Sequence, residues 1–159
     1  MFKVGFSKDM HNLIKGKYIT LAGQKIECEF SIKAYSDGDV VFHALSEAIL
    51  GALGKEDIGT YYNKENMPQN FSSLEIVDYV KNLLVLEKYC ILNIDILIEL
   101  DFPNLIEHKK LIKNNILEIF NLRENQVSIK ATTTENNFPK LISCYCNLIL
   151  KKEINNEKI

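Results

Sequence analysis

Asp9 and His11 stand two residues apart, so on an extended chain a carboxylate oxygen and an imidazole nitrogen project to the same side and can grip one ion. Two ligands do not make a site, and His43 supplies a third. An Asp-His-His set suits Zn²⁺, because three protein donors leave a tetrahedral ion one open position for water or a phosphate oxygen. The chain contains 3 His, and two of them fall on this pattern. Further along, Lys130-Ala131-Thr132-Thr133-Thr134-Glu135 gathers hydroxyl and backbone donors suited to phosphate beside an acid able to hold a hard cation against a diphosphate. A zinc triad, clustered donors and an acid are together the parts of a phosphoryl-transfer site.

Each fragment alone has a plainer reading. His11 could be a surface turn residue and His43 a helix histidine with a satisfied ring, while a Thr run favours strands whatever its function. Ser36 can offer a hydroxyl or an amide to a phosphate, or simply turn the chain. Asp37 and Asp39 fit an Asx turn and a helix cap better than they fit chemistry. Asp57-Ile58-Gly59 could accept hydrogen bonds from a ribose or polyol, and by itself is only a turn.

The elements that must carry these groups follow from hydrophobic period and turn residues. Residues 2 to 6 read as a strand, and 17 to 34 as one or two strands turning near Ala22-Gly23-Gln24. After Ser36-Asp37-Gly38-Asp39, the residues Val40, Ala44, Ile49, Leu50 and Leu53 recur with helical period until Gly54, which places His43 on a helix. Residues 55 to 71, rich in Asn and containing Pro68, read as a loop and a candidate flap, and Ser72 or Ser73 opens a helix to about Lys88. Ile94, Ile96, Ile98 and Leu100 alternate with Asn93, Asp95 and Glu99 in a strand over 92 to 100 that Pro103 stops. A helix over 104 to 120, a strand over 126 to 134 and a last strand over 141 to 151 complete the chain. The fold class is α+β, a mixed and largely antiparallel sheet with helices packed on one face.

At 159 residues, 47% hydrophobic and 25% charged, the chain fits one domain over residues 1–152, followed by a polar tail over 153–159. A net charge of -2 and no basic run longer than Lys109-Lys110 or Lys151-Lys152 argue against nucleic acid as a partner. No apolar run approaches the ~20 residues of a bilayer span, and Met1-Phe2-Lys3-Val4 leads straight into a strand, so the expectation is a soluble, cytoplasmic protein with no membrane partner. Cys28, Cys90, Cys144 and Cys146 lack C-x-x-C spacing; the last two should share a buried strand face with Ile142, Leu148 and Leu150 as plain thiols.

Taken in order and at their separations, these fragments resemble the 2-C-methyl-D-erythritol 2,4-cyclodiphosphate synthase family of the non-mevalonate isoprenoid pathway. The likeness runs from Val4 to Leu150 and includes Leu21-Ala22-Gly23, Ser36 to Leu45, Asp57-Ile58-Gly59, Pro103 with His108, and Lys130 to Glu135. It implies an enzyme, a phosphorus-oxygen lyase. The 2-phosphate of 4-diphosphocytidyl-2-C-methyl-D-erythritol 2-phosphate would attack the β-phosphorus and expel CMP. It implies Zn²⁺ on Asp9, His11 and His43, and Mg²⁺ (or Mn²⁺) on Glu135 between the α- and β-phosphates. Substrate contacts would come from Asp9, His11, Ser36, Asp57, Ile58, Gly59, Leu105, Ile106, Ala131, Thr132, Thr133, Thr134 and Glu135, with Thr133 at the residue that stabilises the transition state. It also implies a homotrimer with active sites between subunits, the cytidine held by residues 100 to 106 and the strand end at Ala131 to Thr133.

Departures from the family pattern fall on the substrate side. Tyr35 stands where the family usually has His before Ser-Asp-Gly-Asp, so a catalytic donor able to carry charge becomes a neutral phenol. Tyr61-Tyr62-Asn63-Lys64-Glu65 lacks an acid expected at the methylerythritol hydroxyls, Asn104 replaces a Lys, and Asn136-Asn137-Phe138-Pro139-Lys140 replaces a Gly- and Arg-rich turn, leaving Lys140 as the nearest substitute for Arg. Every metal ligand is retained. The alternative reading is therefore a zinc-binding but catalytically impaired trimer with a binding or structural role.

Overall fold

The computed structural model describes residues 1–153. A five-stranded sheet forms one layer, made of β1 (Phe2–Lys15), β4 (Phe30–Lys33), β5 (Tyr89–Glu99), β6 (Val127–Thr132) and β7 (Leu141–Lys152), in the order β4-β1-β7-β5-β6. Among the described residues only the β5–β6 pair is parallel. A small hairpin, β2 (Tyr18–Leu21) and β3 (Gln24–Glu27), turns at Ala22 and Gly23, both in the left-handed region. The helices are α1 (Val40–Leu53), the single turn α2 (Ile58–Tyr61), α3 (Leu74–Leu86) and α4 (Lys109–Phe120). The polar tail expected from 153 lies, from residue 154 onward, outside the described residues.

Alternation assigns the faces. Gly5, Ser7 and Leu13 of β1 are buried while Phe2, Val4, Phe6 and Met10 are exposed; Cys144, Cys146, Leu148 and Leu150 of β7 and Ile94, Ile96 and Ile98 of β5 join the core. The thiols of Cys144 and Cys146 lie inside, and burial pushes both above the ordinary thiol value. Helix α1 is the centre of that core. Val40, Val41, Phe42, Ala44, Leu45, Ala48, Ile49 and Leu50 are all at most 1% exposed, and each large member contributes about 1.5–3 kcal/mol on burial. What α1 leaves unburied is the stripe His43, Glu47, Gly51, one residue per turn at i, i+4, i+8.

Contact between α1 and β1 is as close as backbones allow. A Cβ on Gly5 would lie 2.0 Å from the Ala48 carbonyl oxygen, so only Gly lets the helix settle there. The Ser7 hydroxyl donates to the Ala44 carbonyl and fixes the same contact one turn nearer His43. The other end of α1 is fixed by Asp39, whose buried carboxylate accepts from the N–H groups of Val41 at 3.2 Å and Phe42 at 3.0 Å as its cap, and from Ala22 at 2.9 Å and Gly23 at 2.6 Å in the hairpin turn. Burial pushes that carboxyl up to about 6, against the pull of these backbone donors.

Several boundaries differ from the sequence reading. The first strand runs to Lys15 rather than residue 6, because its outer residues pair with β4 and β7, so Asp9 and His11 lie inside it. The one or two strands read over 17 to 34 are three, a hairpin that turns where expected plus β4, and α2 interrupts the loop over 55 to 71. β5 starts at Tyr89, and α4 starts at Lys109 rather than 104, since residues 102 to 108 are bends and turns around Pro103. Among the described residues no helix is long and apolar enough to cross a membrane.

Candidate active site

Asp9 and His11 point from the helix-facing side of β1 toward the first turn of α1, where His43 meets them. The Asp9 Oδ2 atom lies 3.3 Å from His11 Nε2 and 3.2 Å from His43 Nδ1. Donors bound to one tetrahedral ion at about 2.0–2.1 Å stand about 3.3 Å apart, which both Asp9–His separations match, and the ligand atoms of all three residues lie within 4.8 Å of one another, a group that could hold a metal ion. The two rings meet edge to face with centroids 6.2 Å apart. Asp9 Oδ1 accepts from the Met10 N–H at 2.9 Å, whereas Oδ2 is buried with no hydrogen-bond donor assigned to it.

Tautomers explain why that oxygen is bare. His11 Nδ1 lies 3.1 Å from the Lys33 carbonyl on β4, and only as N–H can it bond a carbonyl, which leaves Nε2 as a lone pair facing Asp9. His43 Nε2 lies 2.9 Å from the Ser73 hydroxyl and 3.2 Å from that of Ser36, so its Nδ1 is the side turned to Asp9. Three lone-pair donors thus converge, a geometry that a cation relieves. Protons on the imidazoles draw the same atoms together. Burial pushes the Asp9 carboxyl up, but bonds and charge attraction from His11 and His43 outweigh it and hold it well below the usual carboxylate range; the same carboxylate raises the His11 imidazole against its partial burial.

A cavity of about 240 Å³ opens beside the triad, lined by Lys8, Asp9, His43, Glu47 and Ile58. Glu47 was not singled out in the sequence, although its place one helical turn after His43 is a usable signal. Its Oε2 accepts from the Ile58 N–H at 2.9 Å and so docks the Asp57-Ile58-Gly59 turn against α1. Burial raises the Glu47 carboxyl above its ordinary value. Asp57 caps α2, accepting from the Thr60 N–H at 3.0 Å.

The remaining candidates cluster at the other edge of the sheet. Leu105, Ile106, Ala131, Thr132 and Thr133 line one cavity of about 180 Å³, together with Pro103 and Lys109. Thr133 donates its hydroxyl to the Glu135 carboxylate at 2.8 Å, and Glu135 is itself in the left-handed region at φ 53°. Thr134 is differently employed: its backbone N–H at 2.7 Å and its hydroxyl both reach Asp101, which holds the turn together. Asp101 was missed because an acid before Phe-Pro reads as an ordinary turn residue.

Two candidates are committed elsewhere than the sequence suggested. The Tyr35 hydroxyl donates to the Met67 carbonyl at 2.9 Å, so its proton ties down the loop over 62 to 73 instead of standing free for a phosphate. The Ser36 side chain faces the back of the His43 ring and accepts from the Gly38 N–H at 3.2 Å.

The fold is of the mixed α+β class, with a possible metal-binding triad beside one cavity and a Thr-rich strand end beside another. The comparisons narrow that class: the model of the YgbB family matches residues 2–151. The 2-C-methyl-D-erythritol 2,4-cyclodiphosphate synthase of Halothermothrix orenii is 38% identical over 84% of this chain and 82% of its own. In solved structures, IspF of Plasmodium falciparum in complex with CDP matches with a TM-score of 0.84 and 31% identity, over 96% of this chain and 97% of that one. The bifunctional IspDF of Campylobacter jejuni matches with a TM-score of 0.89 and 30% identity, this chain spanning 43% of its length. The chain belongs to the YgbB family, that of the 2-C-methyl-D-erythritol 2,4-cyclodiphosphate synthases. It is accordingly an enzyme, a lyase with a role in isoprenoid biosynthesis.

Proposed function

We propose that the protein converts 4-diphosphocytidyl-2-C-methyl-D-erythritol 2-phosphate to 2-C-methyl-D-erythritol 2,4-cyclodiphosphate and CMP, with Zn²⁺ held by Asp9, His11 and His43 and Mg²⁺ (or Mn²⁺) held by Glu135. The observation that carries this reading is the Asp9 Oδ2 atom, buried without an assigned donor and facing one nitrogen of each imidazole, with each ring bonded from behind at its other nitrogen. When bound, the cations withdraw charge from the phosphates and so favour attack at the β-phosphorus. The protein's own task is to bend the substrate so that its 2-phosphate oxygen lies in line with the bond to the departing CMP. Asp57, Ile58 and Gly59 suit the methylerythritol hydroxyls beside the triad cavity. Leu105, Ile106 and Ala131 suit the cytosine, and Thr132 and Thr133 the phosphates next to it. Ser36 acts on the 2-phosphate only through a hydrogen that the His43 ring leaves free.

The position of these two groups supports an assembly. Ala131 pairs with Ile98, Ile98 with Cys144 and Cys144 with Asp9, so three strand spacings of about 4.8 Å, about 14 Å in all, separate Ala131 from the triad within one chain. A separation of that order favours drawing the two groups of residues from different subunits. The proposed homotrimer brings Glu135 and Thr133 of one subunit to the triad of the next, and the exposed Phe2, Val4 and Phe6 face of the sheet offers apolar surface for it. The test is turnover. Protein incubated with substrate, Mg²⁺ and Zn²⁺ should release CMP in phosphorus NMR; bound zinc without CMP would favour the impaired-homologue reading, for which the committed Tyr35 hydroxyl is the supporting observation.

A further inference from the structure

We propose that Ser73 and Asp37 are positioning residues for the metal site, fixing the tautomer of His43 so that Nδ1 is the ligand nitrogen; this rests on the triad reading above. Ser73 occupies the position before α3 where a serine ordinarily turns its hydroxyl to the free N–H groups of the first turn. It makes no such bond. Fully buried, it sends the hydroxyl away from its own helix, donating to Asp37 Oδ1, and its oxygen lies 2.9 Å from His43 Nε2.

The order of donation follows from the chemistry of the groups. An ionised carboxylate can only accept, so the Ser73 hydrogen is spent on Asp37, and the lone pairs that remain can be filled from His43 only by an N–H. Nε2 therefore carries the proton and Nδ1 is bare, 3.2 Å from Asp9 Oδ2. Asp37 is itself held in place, accepting from the Ser73 N–H at 2.9 Å and the Asp39 N–H at 3.2 Å, while its own N–H donates to the Phe71 carbonyl at 3.0 Å. His11 has the matching device in the Lys33 carbonyl. A main-chain anchor serves one histidine and a serine–carboxylate pair serves the other, so His43 can be loosened by side-chain substitution and His11 cannot.

Removing such a support weakens a metal site by about 10–100-fold without removing a ligand. The test uses the whole protein with Zn²⁺ alone and Co²⁺ alone as probes. Ser73→Ala should lower Zn²⁺ affinity in chelator competition by about 10–100-fold and alter the visible spectrum of the Co²⁺ form. In histidine-labelled metal-free protein above pH 8, long-range nitrogen–proton NMR should show His43 as the Nε2–H tautomer in the parent and a shift toward Nδ1–H in Ser73→Ala. A purely structural role for Ser73 would move the unfolding temperature and leave the tautomer alone. Asp37→Asn, which keeps the shape, should reproduce the change in smaller measure and serves if Ser73→Ala does not fold. Unchanged affinity and tautomer in a folded variant would overturn the inference. A parent that binds no Zn²⁺ would instead overturn the triad reading, and the tautomer measurement, which needs no metal, would still decide the role of Ser73.

Discussion

The corner where β1 meets α1 and the edge where β5 meets β6 are built in opposite ways. At the corner, most groups are held by residues far away in sequence: Asp39 by the hairpin turn, Ser7 by α1, His11 by β4, His43 by Ser73. At the edge, Thr133 bonds Glu135 two residues on, Glu135 and Asn136 are both in the left-handed region, and Ile106 is 65% exposed; Asp101 and the exposed Lys130–Asp95 pair are its distant anchors. The contrast matches two tasks. A cation with short, directional bonds needs ligands fixed beforehand, whereas a flexible diphosphate and a second subunit can order the edge as they bind.

The contrast can be broken most sharply at its rigid end. His43→Ala should eliminate zinc binding, read by metal analysis, and with it any CMP release; a variant that keeps its zinc would remove His43 from the ligand set. Asp39→Ala leaves four N–H groups without their carboxylate and should cost about 3 kcal/mol or more of unfolding free energy in denaturant titration. If that loss stays under about 1 kcal/mol, the corner is not the rigid element described. Glu135→Gln keeps the shape of the edge and removes its charge, so zinc content and assembly mass should hold while CMP release falls about tenfold or more. Unaltered turnover would return Glu135 to an ordinary surface role. Smallest of all, Tyr35→Phe loses one hydrogen bond to the Met67 carbonyl, about 1 kcal/mol of loop stability, and should change turnover by only a few-fold. A loss near 150-fold would instead mean that the phenol leaves Met67 and donates to the substrate.

The same contrast decides how much could be read from the chain. Asp9, His11 and His43 were legible because strand and helix periods fix which residues share a face, and that logic also gave the core positions of β5 and β7. The extent of β1 was not, since its outer half has little apolar alternation and owes its strand form to pairing with β4 and β7. Ser73 and Asp101 were invisible for a related reason: each is an ordinary serine or aspartate locally, and its partner lies 30 or 33 residues away. Tyr35 shows the limit of reasoning by position. Its place beside Ser36 suggested a phosphate donor, but the neighbouring loop claims the hydroxyl.

The central claim is that the rigid corner of one subunit works with the adaptable edge of another, and mixing two disabled variants tests it most directly. His43→Ala lacks the corner and Glu135→Gln lacks the edge, yet in a cyclic assembly some interfaces join an intact corner to an intact edge. Co-expressed in equal amounts and assayed for CMP release, they should reach about a quarter of the parent activity, the share of such interfaces under random assembly. Activity no higher than the average of the two variants assayed separately would contradict the account and place both halves of the site within a single chain.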